Sequence, residues 1–421
     1  MELPLGEGSV SVSLPDCDVT VAEPPGGPVV EPAAAAERAL DDPHGPPLSS
    51  LVDPDDEVAV VVTDVTRATP DDVLLDAMLA RLPVPHEQVT VVLGLGLHRP
   101  MTDAEIAAGL GEHADLAVNH DPEDTVVVGE VSADGDGESD DGSVDEGYGC
   151  PVELNHRVAA ADVVLSTGMV EPHQYAGFSG GAKTVVIGAG GESLIRYTHG
   201  PEMLAREGVR LGGIESNPFR ETIDRAGDLA GVDFCLNVTT GPDGFLGASA
   251  GRPRDVVREL ADTARDALSV PVVTDYDAVL AGVGAPKDAN LYQTTRAVTY
   301  LVLGDRNPLR AGGRVVVPAT LSEGAGTGAG ERRFYDRLAA AESPAALYEE
   351  MRAGYEPGAQ RAFVVARALR DHEAWITDSE SPGVVADCLM HPAESVAAAV
   401  EPGSRVLVVR DALNTLLVDG A

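Results

Sequence analysis

Apolar residues recur along the chain in two rhythms, short continuous runs and longer stretches at helical spacing. Glu57–Thr63 (Glu-Val-Ala-Val-Val-Val-Thr) predicts a strand buried on both faces. Gln88–Leu93 predicts a second strand, and the mainly apolar run Ala161–Leu165 a third. Between the first two, Pro70 and Asp71 open a helix that runs to about Leu82. Thr102 to Glu105 spells a capping box for another helix. Further on, Asn217–Ala226 reads as a helix, Val232–Thr239 as a strand and Pro253–Leu268 as an amphipathic helix. At the other end, Ser9–Leu14 alternates as an edge strand. This alternation of strand, loop and helix predicts an α/β fold with mainly parallel sheets.

Near Val270-Pro271 the pattern restarts. Strand Ala278–Val283, helix Asn290–Leu303 and strand Arg314–Pro318 precede a glycine-rich turn at 323–330, and several helices follow to about Val400. A chain of 421 residues exceeds one typical core. The expected division is an N-terminal α/β unit, 1–270, and a smaller C-terminal α/β unit, 271–401, with the active-site cleft between them. The strand Arg405–Val409, within 402–421, is expected to return to the first unit.

Composition narrows the class. The chain carries 29 Lys plus Arg against 69 Asp plus Glu, a formal charge of −40. Such a surface could attract hard cations or a basic partner, or be adapted to high salt. The acids are spread along the whole chain, lysine is nearly absent and only 4% of residues are aromatic, which favours the salt-adapted reading. Residues 134–146 place seven carboxylates among glycine and serine, the composition of a solvated hairpin tip. No basic face is available for nucleic acid. No run of 18 or more apolar residues exists, so no membrane span is expected. The N-terminus lacks signal-peptide features, and Cys17, Cys150, Cys235 and Cys388 show neither disulfide nor zinc spacing. The simplest location is the cytoplasm.

Candidate chemistry concentrates in residues 166–203. Lysine occurs only at positions 183 and 287. A sequence that writes its other cations as arginine has an amine at Lys183, where deprotonation and covalent bonding are possible. His173, Lys183 and His199 lie in or beside glycine-rich turns, and Arg67 and His98 follow predicted strands at the edge where α/β sheets bind ligands. The segment Gly177-Phe-Ser-Gly-Gly-Ala-Lys-Thr184 approaches a phosphate-binding P-loop, but Ala182 breaks its glycine–lysine step. Its backbone N–H groups could still cradle a phosphate. Gly94/Gly96 and Gly282/Gly284 begin like dinucleotide fingerprints and lack the third glycine. His44, His86, His113, His156, His372 and His391 read as solvated or capping residues, while His120 is open to either a structural or a functional reading. No HExxH spacing supports a plain zinc hydrolase.

Taken together, the motifs resemble the lactate racemase family. They are Asp64-Val-Thr66-Arg67, Gly96 with His98 and Arg99, the block Glu171 through Lys183, His199, and Tyr292-Gln293 followed by Arg296. The resemblance implies an isomerase, a racemase or epimerase of a small 2-hydroxy acid with lactate as default. It also implies the nickel-pincer nucleotide, a sulfur-bearing pyridinium mononucleotide that carries nickel, and partner enzymes that make it. On that basis Lys183 joins the nucleotide, Lys183 and His199 belong to the metal centre, and Asp64, Thr66, Gly180 and Gly181 belong to the cofactor site. His98 and His173 resemble the acid/base pair. Arg67, Tyr292, Gln293 and Arg296 resemble the substrate-orienting residues. Lactate-specific members carry lysine where this chain has Arg296, and Trp375 is the only candidate for the family's tryptophan.

The chemistry fits this assignment. A Cα–H beside a carboxylate is a poor acid, so removing hydrogen as hydride while a histidine takes the hydroxyl proton avoids a large barrier. Return of the hydride to the other face inverts the centre and requires a second base. Two other readings stay open at this level: a nicotinamide-type 2-hydroxy acid oxidoreductase, and a non-catalytic nickel or nucleotide carrier.

Overall fold

A computed structural model describes residues 1–132, 149–355 and 358–420. The acidic stretch 134–146 lies outside them. In chain order the principal strands begin with β1 (Asp18–Ala22), β2 (Val58–Thr63), β3 (Val89–Gly94), β4 (Ala117–Asn119) and β5 (Val163–Met169). Next come β6 (Val232–Gly241), β7 (Gly244–Gly251), β8 (Tyr276–Ala281) and β9 (Leu309–Pro318). The last are β10 (Glu373–Thr377), β11 (His391–Ala393) and β12 (Arg405–Val409). They form two six-stranded sheets, ordered β7-β6-β5-β2-β3-β4 and β11-β10-β9-β8-β12-β1. Every pairing is parallel except β6 with β7. The expected α/β class with mainly parallel sheets is what the chain adopts.

The run Val58–Val62 shows why. Side chains along a strand alternate between faces, so Val58, Val60 and Val62 enter one core while Ala59 and Val61 enter another on the opposite face. Helix Asp71–Leu79 covers the first face with Leu74, Leu75 and Met78. Helix Pro253–Leu268 covers the second with Val256, Val257, Leu260 and Ala264. In the other sheet Val279, Val315 and Leu407 join that same second core, so one apolar layer is common to both sheets.

Two strand expectations change. Arg405–Val409 does not return to the first unit: Val406–Val409 pair in register with Ala278–Ala281, and the other edge of β12 takes β1. It is the N-terminal strand Asp18–Ala22 that crosses between units. Ser9–Leu14 shortens to Gly8–Ser11, paired antiparallel with Glu2–Leu5 in a separate hairpin. Strand β7, rich in glycine and alanine, is formed by pairing with β6 and not by β propensity of its own. Among the described residues no helix is long and apolar enough to cross a membrane.

Candidate active site

The carboxyl ends of β2, β3 and β5 carry the loops that begin at Asp64, Leu95 and Val170. After β2 the chain turns on its own side chain, with Thr66 donating from its backbone N–H (3.1 Å) and Oγ1 (2.5 Å) to Asp64 Oδ1. That turn buries Asp64 and directs Arg67 to an ion pair with Glu171. The other oxygen of Asp64 accepts from His98 Nδ1 at 2.6 Å. Burial pushes the Asp64 carboxyl up, but hydrogen bonds from His98 and Thr66 together outweigh it and hold the group ionised. His98 is thus kept with its proton on Nδ1 and a free lone pair on Nε2.

The loop after β5 folds against itself. Pro172-His173 pairs with Gly177-Phe178, and Gly177 turns with φ +75°, where an added Cβ would lie 2.0 Å from Gly213 O. His173 Nδ1 accepts from the N–H groups of Tyr175 (3.3 Å) and Ala176 (3.1 Å), so the neutral ring carries its proton on Nε2. Arg220 donates to the carbonyls of Phe178 and Ala176. Gly181 N–H donates to the buried Asn237 Oδ1 at 2.7 Å, which fixes the turn leading into Lys183. Lys183 then opens the single helical turn Lys183–Val186.

His199 ends the helix Glu192–Thr198 and gives its Nδ1 proton to Ile195 O at 3.0 Å, leaving Nε2 unprotonated. Tyr175 and Phe219 pack between the two loop histidines. Ring centroids lie 5.8 Å apart for His173 and Tyr175, 5.6 Å for Tyr175 and His199, and 5.1 Å for His199 and Phe219. Burial, and then the Arg67 and Arg220 cations, lower the Lys183 amine to about 7. Burial and Lys183 bring His199 down to about 4. His173 falls well below its ordinary value through burial and the neighbouring cations, Lys183 first.

Asp64, Thr66, Arg67, His98, His173, Gly180, Lys183, His199 and Tyr292 all line one cavity of about 480 Å³. Gly181, Gln293 and Arg296 do not. Gly181 is spent on the Asn237 turn, and Arg296 donates to Tyr300 Oη at 2.7 Å and lies near Gln293 Oε1 at 3.4 Å. The facing wall brings Tyr355, Arg333 and Gln360, with Tyr355 Oη donating to Arg196 O at 3.0 Å. Trp375 lies elsewhere, stacked on His391 at 4.7 Å, and the tyrosines at the cleft are Tyr292 and Tyr355. Among histidines read as solvated, His113 is buried and meets Asp76 at 2.5 Å. His120 is also buried, between Gly190 O and Asn155. Tyr175, Phe219, Asn237 and Tyr355 carried no local sequence signal. The i,i+4 pair Glu192/Arg196 did, as a helix-face ion pair (2.9 Å) that lines the cleft.

The chain aligns with proteins of known family. The family described as "Lactate racemase N-terminal domain" matches residues 5–212, and "Lactate racemase C-terminal domain" matches 273–421. A lactate racemase of Lactiplantibacillus plantarum is 26% identical over 397 residues, covering 90% of each chain. One from Thermoanaerobacterium thermosaccharolyticum is 24% identical over 437 residues, covering 100% of this chain and 97% of the other. The solved apoprotein of lactate racemase from that organism superposes with a TM-score of 0.83 at 22% identity, over 99% of both chains. A Thermotoga maritima structure shares the fold more distantly, with a TM-score of 0.65 at 15% identity over 91% of this chain and 96% of that one. Two consecutive domain families, in the family's own order and spanning both sheets, leave one assignment: the chain belongs to the lactate racemase family of isomerases.

Proposed function

We propose that the chain interconverts the enantiomers of a small 2-hydroxy carboxylic acid, lactate by default, with a nickel-pincer nucleotide held by Lys183 and His199. One observation carries this reading: a buried amine brought to about 7 and a neutral imidazole with a free Nε2 share one cavity. The donor set fits the group. An amine near neutrality can be acylated, and an unprotonated imidazole suits a soft square-planar ion such as nickel. When bound, the group supplies an acceptor that takes the substrate Cα hydrogen as hydride and returns it.

The protein's own residues handle protons and orientation. His98 Nε2 accepts the hydroxyl proton of one enantiomer, and Asp64 stabilises the imidazolium that results. His173, from the other loop, serves the opposite hand once its proton moves from Nε2 to Nδ1, which breaks the Nδ1 bonds to the Tyr175 and Ala176 N–H groups and frees Nε2 as the acceptor. Arg67 offers a fork for the carboxylate, and Arg196 and Arg333 add guanidinium groups to the cavity in a chain of net charge −40. The cavity must hold a mononucleotide beside the acid, which favours a small substrate. In this reading the protein works in the cytoplasm and receives its cofactor from the enzymes that make it.

The test is co-expression with those enzymes in high-salt buffer, followed by intact-mass measurement and incubation with each lactate enantiomer without NAD. A mass adduct lost in Lys183→Ala, together with formation of the mirror-image acid, is the expected result. Accumulation of stoichiometric 2-oxo acid would instead indicate a dehydrogenase, and an adduct without turnover a carrier.

A further inference from the structure

Arg361 is 2% exposed, yet among the described residues every hydrogen-bond partner of its guanidinium is uncharged. Nε donates to Tyr292 O (3.1 Å) and Thr295 Oγ1 (3.2 Å), one terminal nitrogen to Gln174 Oε1 (2.8 Å) and the other to Thr299 Oγ1 (3.3 Å). The cation also lies 5.7 Å from the centre of the Tyr292 ring. A buried arginine ordinarily answers a carboxylate, because an uncompensated charge in the interior is costly. Here the charge is solvated by four neutral oxygens drawn from both sides of the cleft. Gln174 directly follows His173 on the loop after β5, while Tyr292, Thr295 and Thr299 belong to helix Leu291–Val302 beyond it.

We propose that Arg361 is a positioning residue that clamps the His173 loop to the Tyr292 helix and so fixes the two walls of the cleft relative to each other. This rests on the racemase reading for its kinetic consequence but not for its structural one. Only a planar fork with five donors can span these acceptors; a lysine keeps the charge and loses the span. Arg220 also holds the same loop, through Phe178 and Ala176, so two buried guanidinium groups set its path.

The experiment compares Arg361→Lys, Gln174→Leu and the double variant. In loaded enzyme each single change is expected to lower kcat about 10-fold with KM moved less than about threefold, since small misplacements of a catalytic group are expensive. The double variant should lose no more than the worse single, because both remove one clamp. In the apoprotein, histidine ring nitrogen–proton spectra, with His173 assigned by comparison with His173→Gln, should show the His173 signals displaced in both singles and those of His98 unmoved. Multiplicative losses in kcat would overturn the clamp, as would His173 signals unchanged in both singles. Should Arg361→Lys fail to fold, Gln174→Leu decides alone, because it leaves the guanidinium in place. Should the loaded protein show no racemisation, the apoprotein spectra still decide.

Discussion

His98 Nδ1 lies 2.6 Å from Asp64 Oδ2, joining a ring that is 62% exposed to a carboxylate that is 6% exposed. The pairing gives a solvent-facing imidazole one tautomer and one orientation. Asp64→Asn would keep the shape and remove the charge, so the ring loses both its fixed tautomer and the partner of its imidazolium. We expect kcat to fall by about 10²–10⁴-fold, with the Lys183 adduct still formed. Racemisation rates measured beside intact mass check this, and an unchanged kcat would show that Asp64 only shapes the turn.

Lys183 should behave as a neutral nucleophile near pH 7. Its folded value, about 7, lies below the ordinary 10.5, so the unfolded chain binds the extra proton between those limits. Stability therefore rises with pH across that window and is least below about 7. Lys183→Met should stabilise the apoprotein at pH 6–7, by an amount on the order of 4 kcal/mol, and the gain should vanish towards pH 10. Thermal unfolding at a series of pH values reads this directly.

Gly177→Ala places a methyl group against Gly213 O in a left-handed turn. A clash with backbone cannot be relieved by a side-chain rotation, and a cost above about 2 kcal/mol is expected. The melting temperature should drop and racemisation should fall with it. A variant as stable as the parent would mean that the loop has room to shift.

Charge sets a fourth expectation. A formal charge of −40 is self-repelling at low ionic strength. Raising KCl from about 0.1 to 1 M shortens the screening length from about 10 to 3 Å, and the melting temperature should rise by several degrees. A flat response would remove salt adaptation as the reason for the acidic surface.

Much of this was legible because the candidate site residues sit in a few contiguous loops. Glu171 through Lys183 carries the resemblance to the lactate racemase family by residue type and spacing together, and the runs at Glu57–Thr63 and Gln88–Leu93 announce buried parallel strands. What escaped depends on distant contacts. Phe219 is an unremarkable helix residue until it packs against His199, and Arg361 is a bland arginine until four oxygens converge on it. The placement of Arg405–Val409 escaped for the same reason: Val-Leu-Val-Val fits the middle of any parallel sheet, and only Ala278–Ala281 on one side and Asp18–Ala22 on the other select one.

That last arrangement constrains how the protein is made. Synthesis runs from the N-terminus, so Asp18–Ala22 leaves the ribosome long before Arg405–Val409, the partner it pairs with, exists. Until then it is an unattached ribbon seeking neighbours. A fragment beginning after it would expose the flank of Val406–Val409 as a sticky edge, so splitting this polypeptide near residue 270 should yield aggregates in place of two working halves.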